Sequence, residues 1–399
     1  MVQKKQFTMK NLLCLLALVF AFAKSEAQFR VIFKLLSAPP SHRNEPVFIA
    51  GNFNSWNPGN TWYLFNNSNQ LSLQLDAGEY EYKCTRGSWD KVEINAGGKD
   101  IENRVLKIQS DTTVEITVEA WRDDMAAPEK KHTANSRVQV IDTAFRIPQL
   151  NRTRRIWVYL PEGYETGNKR YPVLYMHDGQ NLFDEYTADS GEWQVDESMD
   201  SLVAKGRQAC IVVGIDNAGE ARMNEYNLFN LVLTEFKDGP KTFSPEGKEY
   251  IDFLAHTLKP FIDKKYRTLP ARENTVIAGS SMGALISYYA MLLEPGVFGK
   301  AGIFSPSFWT NPSLASFTDS LAGKMSGKFF FYAGAKESAS MVSDMQAVQE
   351  ELGEGSSCMI YSVVDPEGSH NSKSWKKWFA EFYAWIMADG FNYVVRTRE

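Results

Sequence analysis

Two regimes of hydrophobic patterning divide the chain. From residue 28 to about 121, short runs alternate apolar and polar positions: 30–35, 47–50, 71–75, 79–84, 105–108 and 113–118. A period of two, with turn clusters between the runs, predicts six short strands in a small all-β, immunoglobulin-like sandwich. From about residue 137 the apolar runs become continuous and alternate with helical spacing. Stretches 155–161, 172–176, 209–215, 275–278, 301–304, 328–333 and 359–364 read as strands, and 247–266, 340–352 and 375–388 as helices. This alternation predicts a mostly parallel, doubly wound α/β sheet over residues 137–399, with its functional loops gathered at one edge. Residues 122–136 are polar and without periodicity; they read as a linker, with His132 solvated.

The first 27 residues follow neither pattern. Lys4, Lys5 and Lys10 precede an apolar core at 12–23, and Ser25-Glu26-Ala27 offers small residues for cleavage. That is the layout of an export signal, so the mature chain is expected to begin near Gln28 and to reach the periplasm or the exterior. The core is too short for a membrane span and no later stretch approaches the needed length. Cys14 in that core lacks a preceding small residue, which argues against a lipid anchor.

Composition narrows the function classes further. A net charge of −5 carries no nucleic-acid footprint. Cys84, Cys210 and Cys358, an odd number set in apolar runs, read as buried free thiols rather than a disulfide framework. Neither CxxC nor HExxH occurs, so no metal site is indicated.

The candidate chemistry centres on residues 273–292. The apolar run Thr275-Val276-Ile277-Ala278 leads through Gly279-Ser280-Ser281-Met282-Gly283 into a helical pattern that buries Leu285, Tyr288 and Met291. Strand, sharp turn and helix around G-x-S-x-G match a nucleophile elbow with Ser281 at its tip. The Met282 N–H, at a helix start, would stabilise developing negative charge. Such a serine needs a base and an orienting acid, in the order serine, acid, histidine. Of five histidines only His370 follows Ser281, in the Gly-containing loop 365–371 after the last strand. Among the acids between them Glu337 is preferred, because it lies in the loop at the end of strand 328–333; Asp344 and Asp365 rank second and third.

Two resemblances add to this reading. Gly51-Asn52-Phe53-Asn54-Ser55-Trp56-Asn57-Pro58-Gly59 and Ala77-Gly78-Glu79-Tyr80-Glu81-Tyr82-Lys83 resemble the starch- and glycogen-binding modules. The resemblance implies that Trp56 and Trp89 stack on glucose rings while Lys83 and Asn103 bond hydroxyls. The second domain, through Arg154-Arg155-Ile156-Trp157-Val158-Tyr159-Leu160-Pro161, Tyr171-Pro172-Val173-Leu174-Tyr175-Met176-His177-Asp178-Gly179-Gln180-Asn181-Leu182-Phe183 and the elbow, resembles the esterase D family of α/β hydrolases. That family includes feruloyl, acetyl-xylan and siderophore esterases. It implies a serine hydrolase without a cofactor, whose second oxyanion N–H comes from Gly179 or Gln180.

His177 would brace that loop. Arg222 and Glu225 would border the pocket, touching substrate or pairing with each other, and Ser305-Pro306-Ser307-Phe308-Trp309 would supply an apolar wall. The expectation is a secreted serine esterase that removes acetyl or feruloyl groups from a plant polysaccharide. A siderophore or other small-ester hydrolase, and a glucan-binding surface protein with a secondary hydrolase domain, are the alternatives.

Overall fold

A computed structural model of the protein describes residues 28–54, 56–125, 130–189, 191–233 and 240–388. The export-signal reading and Cys14 lie outside the described residues. The chain divides into two compact units, Met1–Ala126 and Ala127–Glu399.

In the first unit the period-two runs form strands, because alternation gives each one apolar face to bury. Strands β1 (Phe29–Ser37), β2 (Phe48–Gly51), β3 (Gln70–Leu75), β4 (Gly78–Thr85), β5 (Glu93–Ile94), β6 (Arg104–Ile108), β7 (Thr112–Thr117) and β8 (Ala120–Trp121) make sheets ordered β3-β1-β7, β2-β4-β6 and β5-β8. One core joins the two larger sheets, with Val31, Phe33, Ile49, Cys84, Ile116 and Trp121 almost wholly buried. The two-residue strands β5 and β8 fall outside the six expected; they are too short to show a period.

The second unit is built on one eight-stranded sheet. Its strands are β9 (Val138–Ile147), β10 (Arg152–Tyr159), β11 (Val173–His177), β12 (Ile211–Ile215), β15 (Thr275–Ser280), β16 (Lys300–Phe304), β17 (Ser326–Gly334) and β18 (Ser357–Asp365); β13 (Leu231–Leu233) and β14 (Lys241–Phe243) form a separate hairpin. The order is β18-β17-β16-β15-β11-β12-β10-β9, parallel except that β10 runs against both its neighbours. Every residue of β11, β12 and β15 is buried, which is why these strands read as unbroken apolar runs.

Helices α1 (Val195–Ala204), α2 (Arg222–Glu225), α3 (Gly247–Phe253), α4 (Lys259–Lys265), α5 (Met282–Leu293), α6 (Leu314–Ala322), α7 (Met341–Gly355) and α8 (Ser372–Met387) complete the unit. Alternate strand residues feed two cores: Tyr175, Ile277 and Phe331 pack with α3 to α7, while Leu174, Ala278 and Phe330 pack with α1 and α8.

Three features depart from the sequence expectation. Strand β9 was unforeseen because it is an edge strand with only Phe145 and Ile147 buried. The helix expected over 247–266 is interrupted by a π turn, Leu254–Leu258, just before Pro260, whose ring nitrogen carries no hydrogen to bond back. Residues 130–136 are anchored to the second unit rather than free, although His132 is exposed as expected: its ring meets Asp184 Oδ2 at 2.7 Å and stacks on Tyr186 at 4.1 Å. Cys84, Cys210 and Cys358 are free and buried.

Candidate active site

Strand β15 ends at Ser280 and α5 starts at Met282, so the whole reversal falls on Ser281, with φ 59° and ψ −123°. A non-glycine residue holds that conformation only when its surroundings over-determine it. The Ser281 N–H donates to Phe304 O at 2.9 Å, and its own carbonyl accepts from Ser307 N–H at 3.2 Å and from Leu285 N–H at 3.1 Å. The strain lifts the side chain off the carboxyl edge of the sheet. There Ser281 Oγ meets Ser307 Oγ at 3.1 Å.

Two strands away, the loops after β17 and β18 are stitched together. Ala335 N–H donates to Asp365 O at 2.9 Å and Lys336 N–H to Gly368 O at 3.0 Å. The approach is so close that a Cβ on Gly334 would sit 2.3 Å from Gly368 O, a contact no side chain allows. This holds Glu337, 2% exposed, against His370: Glu337 Oε2 lies 2.8 Å from His370 Nδ1. Glu337 Oε1 accepts from Ser305 Oγ at 2.6 Å and from Gly334 N–H at 2.8 Å. A buried carboxylate so held favours the tautomer with hydrogen on Nδ1 and leaves Nε2 to accept a proton.

Trp375 closes the back of the site. Its indole N–H donates to Ser305 Oγ at 2.8 Å, its ring meets His370 edge-on at 5.2 Å, and Trp193 stacks on it at 5.6 Å. Asp344 lies on α7, and Asp365 is engaged by Lys377 Nζ and Trp378 Nε1, each at 2.8 Å. Of the three acids considered, Glu337 is the one bonded to His370.

Gly179 and Gln180 form the turn after β11, opened by Asp178 in the left-handed region at φ 56°. Asp178 receives Arg222 in a two-pronged bond, 2.7 Å to Oδ1 and 2.8 Å to Oδ2, and Asn217 Nδ2 at 2.8 Å. Burial alone would raise the Asp178 carboxyl, but the Arg222 charge and these bonds outweigh it and hold the pKa below its ordinary value. The Gln180 side chain accepts Asn217 N–H at 3.2 Å, which adds a second tie to the turn. His177 is buried beside Tyr250 (Nδ1 to the hydroxyl 3.1 Å), and burial pulls its pKa down to about 3, so it stays neutral and braces the strand end.

Of the two roles open to Arg222 and Glu225, substrate contact or mutual pairing, the structure shows no pairing between them. Arg222 turns to Asp178, whereas Glu225, 0% exposed, is closed off by Arg154 at 2.7 Å and Arg152 at 2.8 Å from β10, so substrate has no route to it. Trp309 is 47% exposed on a single 3-10 turn, Phe308–Thr310, beside buried Phe308. Sequence reasoning passed over Asp178 and Trp375 as site residues and took Ser305 and Ser307 only as part of an apolar wall. Asp178 stood inside the quoted motif and was the one with a readable signal.

In the first unit Trp56 and Trp89 come together, ring centroids 6.2 Å apart at 43°, with Trp89 39% exposed. Lys83 lies half-buried on β4, where burial lowers its pKa despite the nearby Asp100 charge. Asn103 Nδ2 donates to Glu81 Oε2 at 2.7 Å, and Trp62 is 85% exposed.

A strained serine at a strand-to-helix turn and a buried carboxylate–histidine pair, both at the carboxyl edge of a mostly parallel sheet, define an α/β hydrolase. The chain belongs to the Esterase family (putative esterase), whose family model matches residues 147–385, and it is a carboxylic ester hydrolase.

An alpha-amylase of Niallia circulans is 38% identical over 99 residues, 23% of this chain and 8% of that protein. An endo-1,4-beta-xylanase/feruloyl esterase of Xylanibacter ruminicola is 31% identical over 157 residues, 37% of this chain and 19% of that one. The chain thus spans under a fifth of the length of either. The fold is shared with ferric enterobactin esterase from Salmonella typhimurium, at a TM-score of 0.50 and 15% identity over 90% of this chain and 92% of that one.

Proposed function

We propose that the protein is an exported serine esterase that removes acetyl or feruloyl groups from a plant polysaccharide, through an acyl-enzyme on Ser281. The observation that carries the reading is the elbow strain on Ser281 at the same carboxyl edge of the sheet as the Glu337–His370 pair, whose facing atoms are 2.8 Å apart. A turn about the Ser281 Cα–Cβ bond releases its hydroxyl from Ser307 and offers the proton to His370 Nε2; hydrogen bonds of this kind commonly tighten only with substrate bound. The serine oxygen then attacks the ester carbonyl. The oxyanion takes the Met282 N–H and one from Gly179 or Gln180, His370 protonates the leaving alcohol, and water activated by the same nitrogen frees the acid. Glu337 holds the imidazolium while it is charged.

The substrate class rests on two supports. One relative carries both an endo-1,4-beta-xylanase and a feruloyl esterase activity in its name. The amylase match covers 99 residues, a span comparable to the first unit, where the tilted Trp56–Trp89 pair offers apolar faces suited to the C–H faces of sugar rings.

The test is acid release from acetylated xylan and from feruloylated arabinoxylan, beside a short-chain aryl ester, with Ser281→Ala as the blank. Release from either polysaccharide supports the reading; hydrolysis of the aryl ester alone would move the substrate to small esters, and unchanged activity in Ser281→Ala would end the serine mechanism. Gel retardation by starch or xylan should weaken in Trp56→Ala and Trp89→Ala while esterase activity on the aryl ester persists.

A further inference from the structure

A second constellation of side chains lies outside the hydrolytic site. Glu192 is 7% exposed and Asp196 0% exposed, and with the exposed Glu197 each offers a carboxylate oxygen such that all three lie within 4.8 Å of one another. One oxygen of each buried acid is held by the segment before β9: Thr133 Oγ1 donates to Glu192 Oε1 at 3.1 Å, and Asn135 N–H to Asp196 Oδ2 at 2.9 Å. The other oxygens, Glu192 Oε2 and Asp196 Oδ1, are buried and receive no N–H or hydroxyl donor among the described residues, and Asp196 faces the Glu197 carboxyl. Among the described residues no Lys or Arg forms a salt bridge with any of the three acids. Buried lone pairs left bare are costly, and a native fold keeps them for a reason.

We propose that Glu192, Asp196 and Glu197 bind a divalent cation, calcium. The donors are all carboxylate oxygens, which suit hard cations. Oxygen ligands sit about 2.3–2.6 Å from calcium, so two ligands of one ion are separated by at most about 5 Å, as here. Three carboxylates with room to adjust fit calcium better than magnesium, which keeps most of its water and demands a near-regular octahedron. Exposed Glu197 gives the ion its entry. No metal-binding motif marks these residues, because the donors of the site depend on the register between the 133–135 segment and the first turn of α1.

The place of the site suggests what the ion does. It would tie residues 133–135 to α1 and steady Trp193, the residue after Glu192, which stacks on Trp375 beneath His370. The inference is independent of the ester chemistry, and so is its test.

The purified chain is stripped with a chelator and titrated with Ca2+, Mg2+ and Tb3+, following thermal unfolding, binding heat and terbium emission sensitised through Trp193. One Ca2+ per chain is expected, with a higher Tm; at a Ca2+ concentration a hundred times its Kd the folded-to-unfolded ratio rises about 100-fold. Glu192→Gln and Asp196→Asn should abolish terbium emission and the calcium-dependent shift. Glu197→Gln, on the surface, leaves the core intact and should weaken binding even if the buried variants do not fold. A Tm equal in Ca2+ and chelator with no binding heat would overturn the proposal, as would undiminished binding in Glu197→Gln and Asp196→Asn together. Equal affinity for Mg2+ would overturn the assignment to calcium.

Discussion

Replacing Arg222 by alanine tests whether the turn carrying Gly179 and Gln180 is held by a buried ion pair. The wild-type bond is two-pronged, at 2.7 and 2.8 Å, and the Asp178 and Arg222 side chains are only 10% and 22% exposed. Breaking a buried pair from one side costs about 3–5 kcal/mol, because the remaining charge is left uncompensated. Asp178 keeps Asn217 at 2.8 Å, so the lower end, about 3 kcal/mol, is expected. For a unit of this size each kcal/mol moves Tm by about 2–4 °C, so the Arg222→Ala protein should melt roughly 6–12 °C lower.

The pair also sets a pH dependence. The Asp178 pKa is lower in the folded state than in the unfolded chain, so its contribution is complete above the unfolded value near about 4 and is lost as pH falls through the folded value. The gap between wild type and Arg222→Ala should therefore be widest where Asp178 is ionised in both proteins, and should narrow as pH falls through the value burial gives Asp178 once Arg222 is gone, which lies above its wild-type folded value. The assay is chemical denaturation of wild type, Arg222→Ala, Asp178→Asn and the double variant. The double variant should be less destabilised than the two single costs added together, since no bare charge is left. Strict additivity, or an Arg222→Ala cost within about 0.5 kcal/mol of zero, would refute the reasoning.

Two further outcomes follow from the site. Glu337→Gln keeps the shape of the side chain but cannot stabilise a charged His370, so kcat on an aryl ester should fall about 10³–10⁴-fold with Tm little changed, the scale known for the serine-protease counterpart; steady-state kinetics beside a melting curve checks it. A Cβ at Gly179 would stand 2.8 Å from Ile215 N and 2.9 Å from Asp216 N, both backbone, so Gly179→Ala must displace the turn. It should cost about 1–3 kcal/mol of stability and, if the turn supplies an oxyanion N–H, about 10²-fold or more in kcat; unchanged kcat in a destabilised variant would remove the turn from catalysis.

The strands and the order of the site residues were legible because their causes are local. A strand buried on both faces must be apolar throughout, which marked β11, β12 and β15, and the elbow needs small residues around one serine. Edge strand β9 buries too little of itself to leave such a trace. The sequence by itself marked the change from period-two runs to continuous apolar runs, and showed Ser281, Glu337 and His370 each following a strand visible as a run.

Only the tertiary structure decided who bonds whom. Arg222 faces Asp178 across 44 residues, and Glu225 is enclosed by Arg154 across 71. Glu192 and Asp196 meet a segment some sixty residues earlier, at separations of 59 and 61. Periodicity records which face of an element is buried, whereas an ion pair depends on how distant loops close. The competing partners were the same residue types at similar spacing, so nothing short of the folded arrangement could distinguish them.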